Sequence, residues 1–219
     1  MGCARTTALV LLALALSIGV LLHESGSPIL SQDIEVISTS EEVEKYLTPY
    51  RSLIGADYNG YRGHIYRVLT YSLHFLKASE GGIRDEMIDA LSAALVFHDI
   101  GLWTAGRLDY LDPSIEEAFT KLSLSEEAMN LVRDVILYHH KVTPFSGPNA
   151  DIVNAARKAD WIDATMGLVS KGMPKEHIHK VESEIANAGF HDTLKGFGGR
   201  LRGWNVPLMV VEMGSIFRW

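Results

Sequence analysis

The sequence predicts an all-α domain, and three observations predict it. Apolar residues recur at three- and four-residue spacing in one segment after another. Helix start and stop signals bracket those segments. No stretch alternates apolar and polar residues convincingly, as a half-buried strand would.

The first 30 residues stand apart. Ala8 to Leu22 carries no charge, Arg5 precedes it, and a polar stretch follows from His23. A short positive region before an apolar run is the pattern of a signal peptide, and the run falls short of the ~20 residues that span a bilayer. The alternative is an uncleaved single-pass membrane anchor with Arg5 on the cytoplasmic side. Gly2, Cys3 and Thr6 also fit an acylation pattern, and the lack of any polar face speaks against a soluble core helix. Residues 31–219 are expected to form the domain, which would be exported or lumenal.

Within it, Thr39-Ser40-Glu41-Glu42 reads as a capping box opening a helix that ends near Leu47, because Pro49 follows. Tyr61, Ile65, Val68, Leu69 and Leu76 form one helical stripe. Met87, Leu91, Ala94 and Leu95 form another, running from Asp85 to His98, and Gly101 is expected to stop it. Asp112-Pro113 starts a further helix with proline at its first position. Ser123 and Glu126 read as a second capping box before a helix to His140. Pro148 to Val169 predicts a long helix and Pro174 to Ala188 an amphipathic one. From Gly189 the chain is glycine-rich and predicts no element.

The formal net charge of −7 argues against a nucleic-acid backbone as partner, because phosphate tracks require clustered Lys and Arg. A small phosphorylated substrate stays compatible if a metal supplies the positive charge. The single cysteine, Cys3, excludes an intrachain disulfide and a thiolate zinc site. A metal would therefore be held by imidazoles and carboxylates, and the nine histidines direct the search.

His98 extends the Met87–Leu95 stripe, so it requires a hydrogen bond or a metal there. Asp99 follows it directly. Side chains one residue apart on a helix diverge by ~100°, so both reach one ion only near a helix end. The dipeptide alone is weak: a second copy, His191-Asp192, follows Asn187-Ala188-Gly189 and reads as a loop with Asp192 as a helix cap, without function. His64 lies beside apolar Ile65. Asp160 lies in the late helix, with Ala156, Asp163 and Ala164 as its helical neighbours, and a carboxylate on that face requires a cation or donors. Two imidazoles and two carboxylates suit a divalent ion with positions open to water and substrate.

The ordered set resembles the HD-domain superfamily of metal-dependent phosphohydrolases. The resemblance rests on Gly63-His64-Ile65-Tyr66-Arg67-Val68, on Leu95-Val96-Phe97-His98-Asp99-Ile100-Gly101, and on Arg157-Lys158-Ala159-Asp160-Trp161-Ile162-Asp163, and spans about residues 58–170. It implies an all-α, HD-domain-like bundle. It implies His64, His98, Asp99 and Asp160 as ligands of a divalent ion, Fe, Mn, Zn or Mg, and a water on that ion as nucleophile toward a nucleotide or other small phosphoester.

His139 shares a face with Val132 and Val135 and points inward. Relatives with two metals use a histidine at this place and generally add another between the HD pair and it. None lies between Asp99 and His139, which favours one ion, with His139 or His140 contacting substrate or acting as acid beside Asp99. His140 reads equally as a solvated helix end. Lys141 is a phosphate ligand or a charge suiting the helix C-terminus. His74, His177 and His179 show no partner pattern, and His177 reads as solvated. Trp103, Trp161, Trp204 and Trp219 line a pocket or pack in the core. Two other functions use the same residues: iron-dependent oxygenation or hydration of a small nitrile, and a non-catalytic binding module with a structural metal.

Overall fold

Two helices are buried on nearly every side, and they carry the first two motifs. In the computed structural model, which describes residues 32–77 and 83–202, no strand occurs among the described residues. The apolar run Ala8–Leu22, His23, Trp204 and Trp219 lie outside them. The first helix, α1 (Glu41–Leu47), is followed by a single helical turn, Arg51–Ile54, flanked by two 3-10 turns. Then come α2 (Tyr58–Lys77), α3 (Asp85–Phe97), the one-turn α4 (Gly101–Thr104), α5 (Leu111–Lys121), α6 (Glu126–Tyr138), α7 (Ala150–Ala164), α8 (Lys175–Glu184) and α9 (Phe190–Arg202).

Helix α2 buries Tyr61, Ile65, Val68, Leu69 and Leu76 as the stripe predicts, and also His64, Tyr66, Arg67 and Tyr71 around the rest of its circumference. Only an interior helix is covered all round. Its main partner is α7, while α3 packs chiefly on α6, so the core is two helix pairs laid together. One continuous apolar cluster runs from Ile34 to Phe190. Each fully buried Leu, Ile or Phe in it contributes about 1.5–3 kcal/mol relative to exposure.

Several expected boundaries shift for physical reasons. Ser40, not Thr39, caps α1, accepting from the Val43 amide at 3.3 Å. Ser125, not Ser123, caps α6, accepting from the Ala128 amide at 3.3 Å. Helix α5 starts at Leu111, which moves Pro113 inside the first turn, where its missing N–H still costs nothing. The long helix is shorter than expected: Asn149 enters α7 in the left-handed conformation, and the helix stops at Ala164, before left-handed Met166 and Gly167. Helix α8 likewise ends at Glu184.

Gly101 does not stop α3. It opens α4, and glycine is required there by crowding: a Cβ would overlap the Tyr110 carbonyl oxygen and lie 2.9 Å from Ser114 Oγ. The Gly101 amide donates to that Ser114 oxygen at 2.9 Å. The stretch that predicted no element, from Gly189, is helix α9 through Arg202. Its approach depends on two glycines of α2. A Cβ on Gly63 would stand 2.6 Å from the Ala186 carbonyl oxygen, and one on Gly60 3.0 Å from that of Ala188. His177 is buried, not solvated, its ring 5.2 Å from that of buried His74.

Candidate metal centre

The four expected ligands come from α2, the α3–α4 junction and α7, and the fold brings them together. His64 Nε2 lies 3.0 Å from His98 Nε2. It is 3.4 Å from Asp160 Oδ1 and 3.9 Å from Asp99 Oδ2. His98 Nε2 is 3.3 Å from Asp99 Oδ2 and 3.7 Å from Asp160 Oδ1. All four side chains are buried. The helix end makes this possible: α3 closes at Phe97 and the chain turns through His98, Asp99 and Ile100 before α4, so neighbouring side chains converge.

The outer nitrogens fix what the inner ones can do. His64 Nδ1 donates to Asp163 Oδ2 at 2.6 Å, and His98 Nδ1 donates to the Leu95 carbonyl oxygen at 2.6 Å. His139 Nδ1 donates to the Ile136 carbonyl oxygen at 2.8 Å. With Nδ1 protonated, each neutral ring carries its lone pair on Nε2; those of His64 and His98 face Asp99 and Asp160, and that of His139 faces Asp99. An outer acceptor that orients an imidazole and raises its basicity is the usual support of a metal ligand.

His139 and His140 extend the cluster at the end of α6. His139 Nε2 is 3.4 Å from Asp99 Oδ1 and 2.8 Å from His140 Nε2. His140 Nδ1 is 3.7 Å from Asp160 Oδ2. Two triplets with cation-binding spacing result, His64–His98–Asp99 and Asp99–His139–His140, joined by Asp99. Asp99 Oδ1 is buried without a hydrogen-bond partner, an orphaned acceptor that a cation satisfies. His140 is not a solvated helix end: its side chain is 20% exposed and its Nε2 meets the Tyr110 hydroxyl.

The electrostatics are set by buried imidazoles and carboxylates lying against one another. Burial opposes charge on His64, but the Asp160 carboxylate 3.4 Å away and the hydrogen bond to Asp163 outweigh it and raise the ring to about 9. Burial opposes ionisation of Asp160 and Asp99 as well. The adjacent His64 and His98 imidazoles hold Asp160 well below the usual carboxylate range, and the charges of His98 and His139 do the same for Asp99. His140 is pushed down to about 3 by burial and by the charge of His139. Burial and the Asp99 charge push the Tyr110 hydroxyl far up, so it stays a donor.

Sequence reasoning passed over several contributors. Asp163 appeared only as a neighbour of Asp160, yet it holds His64 and is itself gripped by Arg67, whose Nε lies 2.5 Å and Nη2 3.0 Å from its two oxygens. Its signal was the three-residue spacing after Asp160, which places both carboxylates on one face of α7. Tyr110 carried no signal, because only the close approach at Gly101 sets it against His140. Phe190 and His191 lie in α9, not in a loop. Phe190 stacks on His64 with centroids 4.1 Å apart, and His191 Nε2 donates to the Asp163 carbonyl oxygen at 2.7 Å. This second His-Asp pair sends no side chain into the cluster, and Asp192 is exposed.

Buried Arg157 supports the α6 end, donating through Nη1 to the carbonyl oxygens of Lys141 and Val142 at 3.2 and 3.0 Å. His74 and His177 pair with each other away from the site, and His179 is exposed. Trp103 packs on Tyr61 at 4.6 Å and donates to Asp57 at 3.2 Å. Tyr61 in turn backs both His64 and His98 and donates to the Val96 carbonyl oxygen at 2.9 Å. Comparison with family models, with curated proteins and with solved structures gives no match for this chain.

Proposed function

We propose that this chain is a metal-dependent hydrolase of HD-domain type, acting on a nucleotide or another small phosphoester. The observation that carries the reading is the convergence of the Nε2 atoms of His64, His98 and His139 on Asp99, the first two also facing Asp160, with each ring fixed by an acceptor at its Nδ1. His64, His98, Asp99 and Asp160 would hold a divalent ion, Fe, Mn, Zn or Mg. Such an ion lowers the pKa of water it holds and stabilises charge on phosphate oxygens.

The chain's own groups supply the rest. Asp99 presents Oδ2 to the His64–His98 side and Oδ1 to His139, so it can both ligate and orient a water between them. Tyr110 and His140 line the partly exposed edge of the cluster. A hydroxyl held protonated beside a neutral imidazole is placed to donate to a departing oxygen. The negative domain leaves the ion and these donors to attract an anionic substrate. The substrate is a small molecule, and the apolar segment at residues 8–22 directs the domain to an extracytosolic compartment, secreted, periplasmic or lumenal, or tethers it to a membrane.

The test is elemental analysis of the purified chain, then a phosphoester and nucleotide screen with wild type and Asp99→Ala. We expect metal and turnover in the wild type and a loss of both in the variant, because Asp99 belongs to both triplets. Unchanged metal content and turnover in Asp99→Ala would refute the reading. Activity that stops under anaerobic conditions would assign the site to oxygenation instead.

A further inference from the structure

We infer that Asp163 is a positioning residue for the metal centre, holding His64 as the Nδ1–H tautomer, and that a small carboxylate entering the adjacent cavity can take its place. This rests on the reading of His64 as a metal ligand.

The geometry is specific. His64 Nδ1 has one acceptor, Asp163 Oδ2 at 2.6 Å, and both groups are buried, so solvent does not compete. If Nδ1 lost its proton to Nε2, the inner nitrogen would turn from ligand to donor and the ring could not bind a cation. Asp163 blocks that by offering only acceptors. The carboxylate cannot swing away, because the Arg67 fork engages both oxygens, and Arg67 Nη1 is anchored on the Ala186 carbonyl oxygen at 3.0 Å. His191 Nε2 binds the Asp163 backbone carbonyl oxygen from α9. Four elements, α2, α7, the α8–α9 connection and α9, therefore converge to aim one imidazole. Gly63 is what admits the Ala186 carbonyl to that arrangement.

The cavity is the second part. A space of about 320 Å³ is lined by Arg67, Asp163, Glu182, Asn187 and His191. It touches the outer side of Asp163, away from the cluster, and is large enough for a formate or acetate ion. With the Asp163 side chain cut back to Ala, the guanidinium of Arg67 and the Nδ1–H of His64 would remain as a ready pair of donors for such an ion.

Co(II) binding by the full chain tests this, read from the visible absorption of the ion in wild type, Asp163→Asn and Asp163→Ala. Asn keeps the shape but presents an amide group that can donate to Nδ1, favouring the wrong tautomer. We expect Asp163→Asn to keep its helical content and to bind Co(II) about 10- to 100-fold more weakly, the usual cost of losing an outer-shell partner. We expect formate to restore part of the affinity to Asp163→Ala and to leave wild type unchanged. A purely structural role would not respond to formate. Wild-type affinity in Asp163→Asn, or no response of Asp163→Ala to formate, overturns the inference while leaving the metal centre in place. A wild-type chain that takes up no Co(II) overturns both. If Asp163→Ala does not fold, Asp163→Asn against wild type decides alone.

Discussion

His64 and His98 point Nε2 at Nε2 across 3.0 Å while the Nδ1 atom of each is committed to another acceptor. Two lone pairs at that distance repel unless a proton or a cation lies with them. The contact therefore stores the requirement for positive charge in the folded state.

A cation that satisfies this contact binds the native chain and not the unfolded one, so it stabilises by mass action. At 100 times its dissociation constant the gain is about 2.7 kcal/mol. For a domain of this size that is a rise of roughly 5–10 °C in the melting temperature. Thermal melts with EDTA and with added Mn(II), Zn(II) or Fe(II) measure it. Identical curves in all four would mean that no such ion is bound.

The pH dependence of the metal-free protein follows from the same residues. His64 has its folded value raised from 6.5 to about 9, so its stabilisation is complete below 6.5 and is lost as pH rises toward 9. That amounts to about 3 kcal/mol for this buried ring. His140 has its folded value lowered to about 3, so stability is lost as pH falls below 6.5. Asp99, Asp160 and Asp163 are lowered from 3.8, and their contribution disappears as pH falls below that value. Melting temperature in EDTA is thus expected to peak near pH 6.5. Added metal displaces the His64 proton, so apparent affinity should climb about tenfold per pH unit below 9. A chelated protein that melts no lower at pH 9 than at pH 6.5 would contradict the assignment of His64.

Gly101→Ala is expected to destabilise by about 1–3 kcal/mol, the cost of forcing atoms into a filled site. The added Cβ meets the Tyr110 carbonyl oxygen and Ser114, so α5 has to retreat and take the Tyr110 hydroxyl from His140. Urea denaturation reads the first effect, and the tyrosine ultraviolet difference spectrum the second. A variant with an unmoved denaturation midpoint would show that the crowding at Gly101 is readily relaxed.

The helical class and the residues of a buried His–Asp cluster that could hold an ion were legible in the chain because both depend on local rules. The stripe of Met87, Leu91, Ala94 and Leu95 states which face of α3 is buried, and His98 lies at its end. Asp160 declared itself by small neighbours on one helix face. The helix from Phe190 was not legible, because its glycines mask a segment that is held by packing on Gly60 and Gly63 rather than by propensity. His177 misled for a similar reason: a polar residue beside a stripe looks solvated until a second histidine from α2 covers it.

What this sequence determined by itself is the class of structure and the imidazoles and carboxylates available to a buried cluster, since periodicity and residue chemistry are properties of short windows. Which nitrogen of His64 faces inward, and what lies against His140 and Arg67, was decided only by tertiary structure. Asp163 reaches His64 across 99 positions of chain, Tyr110 reaches His140 across 30, and Ala186 reaches Arg67 across 119. No local pattern encodes such partners, because each exists only once the helices have closed on one another and excluded water from the contact.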